Sequence, residues 1–226
     1  MRKKLSKKRI KTMMFVTLAT VTMTSSIVPN ISIIAKATTI ENAEEMIDGV
    51  NYDIILKVAE MSSEELDAYL DQILNLDNMT VEQEELFYQL LDEELLKQPR
   101  SVDTEELRDS VISLFESPDI NARYLINIKN STAALAINVA IGVALGSGAV
   151  EGIKIMIKQK GKSATSAVLG VIVARTIGKV LNSKFVSLAT RFASEIVANL
   201  LDPGSYIASQ IDKNWDRKKN SGYIEY

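Results

Sequence analysis

The sequence predicts an all-α protein, in which an acidic helical N-terminal part is followed by a helical hairpin or bundle rich in small residues. Two observations carry this prediction. The motif Glu-Glu-Leu recurs at 64–66, 84–86 and 105–107, each time at the start of an apolar pattern with helical spacing. Residues 130–150 then form an uncharged run rich in alanine and glycine.

The charge of the chain is distributed in three blocks. Residues 1–37 carry eight basic and no acidic residues, residues 38–129 carry a net charge of −17, and residues 130–226 carry +6. Blocks of different sign indicate different physical roles. We therefore predict a secretory signal peptide at 1–37, an acidic helical region with the hypothetical role of a pro-region at 38–129, and a basic Gly/Ala-rich helical domain with a polar tail at 130–226.

The composition excludes several classes of site. The 226 residues include no Cys and no His. Disulfides, thiol catalysis, imidazole catalysis and Cys/His metal sites are therefore excluded. No nucleophile or phosphate-loop motif has the required spacing. We expect no enzyme activity, no cofactor and no metal site.

The first block has the three parts of an export signal. The basic start MRKKLSKKRIK precedes an uncharged stretch at 12–35, and Ala35-Lys36-Ala37 has the A-x-A cleavage pattern. The length of the segment resembles signals of Gram-positive bacteria. Cleavage after Ala37 predicts a secreted chain that begins at Thr38 and is extracellular or associated with the cell surface. The alternative is an uncleaved N-terminal anchor.

Capping patterns mark the helix starts of the second block. Ser62 with Glu65, and Thr80 with Gln83, have the spacing of a capping box. A further helix is expected at 41–61. The predicted buried stripes are Leu66, Tyr69, Leu70, Ile73 and Leu74 in one helix, and Leu107, Val111, Leu114 and Phe115 in another.

Residues 134–152, ALAINVAIGVALGSGAVEG, allow two interpretations. Their bulky residues alternate with small ones, which is typical of a strand, but the run is long and both faces are non-polar. We favour a helix, on which small residues four apart form packing grooves. These residues are Ala136, Ala140, Ala144, Gly148 and Gly152, with Gly142–Gly146 and Gly148–Gly152 as G-x-x-x-G pairs.

A second helix with the same character is expected after residue 163. Its small residues are Ser166, Gly170, Ala174 and Gly178. Between the two helices we predict a basic turn with Lys158, Lys160 and Lys162, in which Gly161 stops the helix. The two helices then form a hairpin at 131–182.

The remainder of the chain predicts a third helix and a short fourth one. The third helix spans about 183–200, with Phe185, Leu188, Phe192 and Ile196 on one face. Asp202-Pro203-Gly204 has the order of a helix cap followed by the first turn. The polar end, KNWDRKKNSGYIEY, is interpreted as a frayed tail, with a docking strip as the alternative.

The hairpin is marginal as a membrane span. Seven bulky apolar residues lie in 130–150, and they supply only about 2–4 kcal/mol of insertion energy. Such a hairpin can remain soluble while it is packed and enter a bilayer when it is released. Its basic surplus favours an anionic bacterial membrane. The alternative is a buried hairpin in a soluble helical domain.

The signal ending in Ala35-Lys36-Ala37, the acidic region and the small-residue hairpin at 131–182 together resemble secreted antibacterial peptide or bacteriocin precursors of Gram-positive bacteria. The resemblance implies that residues about 131–200 permeabilise the membrane of competing cells. We hypothesise that the acidic region masks the basic one and is displaced or cleaved near residue 130. The absence of Cys departs from the disulfide-bearing members.

Two further expectations concern partners. The small-residue grooves allow self-association, and the basic residues lack the interleaved aromatic residues of nucleic-acid binding, which we do not expect. The alternative function is that of a secreted, non-catalytic helical interaction protein at the cell surface.

Overall fold

Eight α-helices make up most of residues 51–116 and 127–225, the part of the chain that the computed structural model describes. In chain order they are α1 (Tyr52–Glu60), α2 (Ser63–Ile73), α3 (Val81–Leu96), α4 (Thr104–Glu116), α5 (Asn130–Leu145), α6 (Ala149–Val180), α7 (Ala189–Asn199) and α8 (Pro203–Gln210). The predicted all-α class is confirmed. The predicted signal peptide, with Ala35 and Ala37, lies outside the described residues.

The described chain also contains short non-α elements. They are 3-10 helices at Leu76–Asn78 and Ser183–Leu188, a π-helical turn at Ile211–Trp215, and the two-residue strands β1 (Ile128–Lys129) and β2 (Tyr223–Ile224). The strands pair antiparallel, with Ile128 opposite Ile224 and Lys129 opposite Tyr223.

The predicted capping boxes start α2 and α3. The Ser62 hydroxyl accepts from the Glu65 N–H while the Glu65 carboxylate accepts from the Ser62 N–H, and Thr80 and Gln83 repeat this arrangement. Each box satisfies two N–H groups that the first helical turn leaves unpaired. Of the helix expected at 41–61, the structure describes α1 from Tyr52 onward.

Helix α5 lies at the centre of the fold. Thirteen of its sixteen residues are buried, and it packs against helices from both charge blocks, among them α3, α4, α6 and α8. A helix that is apolar around its whole circumference has to be enclosed in this way, or by lipid. The apolar stripes predicted for the acidic helices are buried as expected. Their buried residues are Leu66, Leu70, Ile73, Leu74, Leu107, Val111, Leu114 and Phe115, and Tyr69 is partly buried.

The third predicted helix has two parts. A 3-10 helix at Ser183–Leu188 leads into α7, which ends at Asn199. Phe185, Phe192 and Ile196 are buried as expected. Asp202 caps α8 by accepting from the Ser205 N–H at 2.8 Å, with Pro203 in the first turn.

The interpretation of the C-terminal end as a frayed tail is wrong. Ile224 is fully buried, and β2 pairs with β1 at the start of α5. The connecting loop is fastened by Asp212, which is 6% exposed and accepts from the Asn130 side chain at 2.7 Å and from the Ser221 N–H at 2.9 Å. Asp212, which lies among basic residues in the sequence, thus fixes the conformation of the C-terminal end of the described chain.

Candidate functional site

The candidate site is the buried hairpin of α5 and α6. Its turn differs from the predicted one, because the stretch 134–152 is not a single helix. Helix α5 ends at Leu145, Gly146 adopts a left-handed conformation with φ 66°, and α6 begins at Ala149. Glycine adopts this conformation without the strain that a Cβ brings, and it commonly ends helices. Gly148 is therefore a helix cap and not part of a groove on α5.

Two of the predicted glycines permit the close approach at this turn. A Cβ on Gly142 would lie 2.8 Å from the Ser147 carbonyl oxygen and 2.8 Å from Leu90 Cδ1. A Cβ on Gly152 would lie 2.7 Å from Ser147 Oγ. All three distances are shorter than real Cβ contacts, so the hairpin turn needs glycine at both positions.

The other small residues play different parts. Ala136, Ala140 and Ala144 are buried within α5, in the core that surrounds it. On α6, a Cβ at Gly170 or Gly178 would meet its nearest neighbours at 3.8 Å and 3.5 Å, which are ordinary contacts. Close packing therefore depends on the glycines near the turn and not on those of the second row.

The predicted basic turn lies within α6. Gly161 leaves the helical conformation, with φ 82° and ψ 164°, so the helix is kinked there as the sequence indicates. The kink does not connect the two arms of the hairpin, however, since that connection is at 146–148. Lys158 is exposed, Lys160 Nζ lies 2.7 Å from Glu60 Oε1 of α1, and Lys162 Nζ donates to the Ala198 carbonyl at 3.2 Å.

Asn138 is the polar centre of the hairpin. It is 5% exposed, and its Nδ2 donates to Glu94 Oε2 at 3.0 Å and to Asp202 Oδ2 at 2.8 Å. Its Oδ1 accepts from the Gly204 N–H at 2.7 Å. One side chain thus joins α3, α5 and the start of α8, and all its polar atoms are paired, as burial requires. The apolar pattern of residues 134–152 gives no indication of these partners, which lie 44 to 66 positions away along the chain.

Close approach of α8 to α5 surrounds this centre. A Cβ on Gly204 would lie 1.9 Å from the Ala134 carbonyl oxygen. No side chain fits there, so α8 touches the backbone of α5 directly. The pattern Asp-Pro-Gly predicts the cap, but not this contact.

A tyrosine from α2 contacts the other end of α5. The Tyr69 hydroxyl lies 3.4 Å from the Val143 carbonyl oxygen and 3.3 Å from that of Ala144. These are carbonyls of the last helical turn, and that of Val143 also accepts from the Gly146 N–H at 3.2 Å. Burial raises the pKa of Tyr69 to about 12, so the hydroxyl remains a donor at neutral pH.

Ion pairs join the acidic helices to the basic part of the chain. Arg175 of α6 lies 2.9 Å from Asp67 and 3.4 Å from Asp71, both in α2. The hydrogen bond from Arg175 lowers the pKa of the Asp67 carboxyl. Lys129 of β1 lies 2.7 Å from Glu106 of α4. All these side chains are at least 40% exposed, so each pair contributes little to stability.

A shallow groove of about 280 Å³ follows the second row of small residues. It is lined by Asp67, Ser166, Ala167, Gly170, Val171, Ala174, Arg175 and Thr190. The row predicted for helix packing therefore borders an open depression at this point. The predicted self-association remains untested by it.

Length and composition identify α6 as one candidate membrane-spanning helix within the described residues. Its most apolar window has a mean hydropathy of 1.3 and is 39% buried, and α5 is apolar but shorter. Core helices of soluble proteins have the same properties, so this observation is weak by itself. Among residues 51–116 and 127–225 no three acidic side chains are grouped as a metal site.

Comparison of the chain with protein-family models, curated proteins and solved structures found no match.

Proposed function

We propose that the chain is a secreted, membrane-active antibacterial protein whose α5–α6 hairpin leaves the helical bundle and inserts into the membrane of target bacteria. The observation that carries the proposal is that α5 is apolar on all sides, with Asn138 as the polar residue at its centre. The surrounding helices shield this surface from water, as lipid would in the inserted state.

Insertion requires a change at the hairpin turn. The sixteen residues of α5 span about 24 Å, against a hydrocarbon core of about 30 Å. The uncharged run at 130–150 has 21 residues and reaches about 31 Å as a continuous helix. We therefore propose that α5 extends through Gly146–Gly148 in the membrane, and that the residues around Gly161 then connect it to the second span.

In this proposal the acidic helices mask both the apolar surface of α5 and the cations beside it. Helices α1 to α4 cover α5 and place Glu60, Asp67 and Glu106 beside Lys160, Arg175 and Lys129. Because the pairs are exposed, the apolar contacts hold the cover in place and the charges contribute orientation. Displacement of the cover exposes both the apolar surface and the cations.

Leakage of a dye from vesicles tests the proposal. A chain of residues 38–226 is added to vesicles of phosphatidylglycerol and phosphatidylcholine, and to vesicles of phosphatidylcholine alone. We expect leakage at micromolar protein from the anionic vesicles, and much less from the neutral ones. Absence of leakage from both, for protein that is folded by circular dichroism, contradicts the proposal.

A second candidate is the non-catalytic interaction protein at the cell surface. It is favoured by the fully paired Asn138, since complete satisfaction of a buried amide is what a permanent core requires. Cell-surface binding without leakage supports this candidate. Mass spectrometry of the culture supernatant shows where the secreted chain is cut. A species that begins at Thr38 supports secretion, and a further cut near residue 130 supports the role of the acidic region as a pro-region.

A further inference from the structure

The C-terminal loop, residues 211–224, has only positive charges among its exposed side chains. Its four cationic side chains are exposed: Lys213, Arg217, Lys218 and Lys219. Its two acidic residues, Asp212 and Asp216, are buried at 6% and 5% exposure and face the interior of the loop. Nothing in the proposed hairpin insertion uses this surface.

The cations of the loop differ from those of the hairpin in their partners. Lys129, Lys160 and Arg175 each lie against a carboxylate of α1, α2 or α4. Within residues 51–116 and 127–225, no carboxylate lies within ion-pair distance of Lys218 or Lys219. A polyanion that meets the folded protein therefore finds free positive charge at the loop.

The buried aspartates fix the backbone that carries these cations. Asp216 accepts from the Arg217 N–H at 2.6 Å and from the Glu225 N–H at 3.0 Å. Asp212 accepts from the Ser221 and Gly222 N–H groups at 2.9 Å and 3.2 Å. Both ends of the turn are thus held, and less conformational entropy is lost when a partner binds.

Two aromatic side chains lie beside these charges, so the expectation that the basic residues lack interleaved aromatic residues does not hold at this loop. Tyr223 is 41% exposed beside the loop. Trp215 is partly buried, and its ring lies 5.7 Å from that of Phe192. Tyrosine and tryptophan are enriched where proteins meet the interface of a bilayer. Cations next to such rings favour a lipid surface over a purely polar polyanion.

We propose that the C-terminal loop docks the folded protein on an anionic lipid bilayer, through contacts of its lysines and arginine with lipid phosphate groups. This proposal rests on the proposed function, because both take an anionic bacterial membrane as the target of the protein. It concerns the folded state, however, in which α5 and α6 are still enclosed. Docking therefore precedes insertion and is measured separately from leakage.

Sedimentation with vesicles compares two variants with the same change in net charge. K218Q/K219Q removes two cations from the loop, and K57Q/R100Q removes two exposed cations from the acidic half. Each cation near an anionic bilayer contributes about fivefold to partitioning. We expect K218Q/K219Q to bind phosphatidylglycerol-containing vesicles about 25-fold more weakly than the unmodified chain of residues 38–226. K57Q/R100Q is expected to change binding less than about threefold.

The outcomes separate the two proposals. Equal losses in both variants, or equal binding to phosphatidylcholine vesicles, overturn the docking surface whether or not the vesicles leak. Loop-dependent binding without leakage supports docking and contradicts insertion. Loop-dependent binding to lipid-free poly(glycerol phosphate) but not to vesicles assigns the surface to a wall polymer and overturns the lipid proposal. Unchanged thermal unfolding of both variants confirms that the fold is intact.

Discussion

Asn138 Nδ2 lies 2.8 Å from Asp202 Oδ2, in a contact that joins the centre of α5 to the cap of α8. The same amide accepts from the Gly204 N–H through its oxygen. The central polar residue of α5, the most apolar of the described helices, thus connects it to two of its neighbours. Helix α5 is held in the bundle by burial and by polar contacts at Asn138, at Asn130 and with Tyr69.

Replacement of Asn138 by leucine tests this contact group. N138L leaves the buried Gly204 N–H without an acceptor, and we expect a loss of about 1–3 kcal/mol in the free energy of unfolding. Urea denaturation followed by circular dichroism measures it. N199A is the matched control, because Asn199 is an exposed helical asparagine that donates to the Glu195 carbonyl. A loss for N138L no larger than that for N199A contradicts the role assigned to Asn138.

Two glycine-to-alanine substitutions are expected to have opposite effects. A Cβ at Gly204 collides with the Ala134 carbonyl oxygen, whereas a Cβ at Gly178 meets Val186 Cγ2 at 3.5 Å. G204A should destabilise the fold by about 1–3 kcal/mol because α8 has to move away from α5. G178A should stabilise it by about 0.5–1 kcal/mol, since alanine favours the helix. Urea midpoints that shift in the same direction contradict the packing described for α8.

Burial, and not charge, is expected to hold the acidic helices on α5. Phe87 of α3 is fully buried, with ring centroids 4.9 Å from Phe115 and 5.3 Å from Tyr88. F87A should cost about 3–5 kcal/mol. R175Q breaks the exposed pairs with α2 and should cost only a small fraction of that. Urea denaturation at low and high salt measures the free energy of unfolding of both variants. A larger loss for R175Q than for F87A would show that ion pairs, and not burial, hold the acidic helices on α5.

The conformation of the C-terminal loop is expected to depend on the ionised Asp212 carboxylate, and therefore on pH. Burial raises the pKa of this carboxyl, but hydrogen bonds from Asn130, Ser221 and Gly222 outweigh it, so the pKa is lowered from 3.8. The stabilisation is therefore complete above pH 3.8 and is lost as the pH falls through the lower folded-state value. Trp215 fluorescence should report the loosening only below that pH.

Trypsin provides a second measure of the same loop at neutral pH. D212N removes an acceptor from the loop, and cleavage after Lys218 or Lys219 should accelerate about tenfold. D77N, at an exposed aspartate in the acidic half, is the control and should leave cleavage unchanged. Equal cleavage of D212N and the unmodified chain means that the loop is fastened by other contacts.

The parts of the fold that follow local rules could be predicted from the sequence. The capping boxes at Ser62 and Thr80, the cap at Asp202 and the kink at Gly161 each depend on residues within one turn. The buried stripes follow helical spacing in the same way. The helical interpretation of residues 134–152 is confirmed as far as Leu145, where α5 ends.

The position of the turn could not be predicted by these rules. Gly142–Gly146 and Gly148–Gly152 both fit grooves at i+4 spacing, and that spacing does not reveal the left-handed conformation with which Gly146 ends α5. The strand pair and the bonds Asn130–Asp212 and Asn138–Asp202 join residues that are 64 to 96 positions apart. Periodicity carries no information about such distant partners.

We propose that α5 and α6 must leave the bundle before the protein can permeabilise a membrane, and a reversible cross-link tests this proposal most directly. A Cβ on Gly170 would lie 4.0 Å from Ala193 Cβ of α7, a separation that a disulfide bridges without distortion. The chain has no other cysteine. We predict that oxidised G170C/A193C binds anionic vesicles but does not release dye, and that reduction of the same sample restores leakage. Equal leakage from the oxidised and reduced forms would contradict the account.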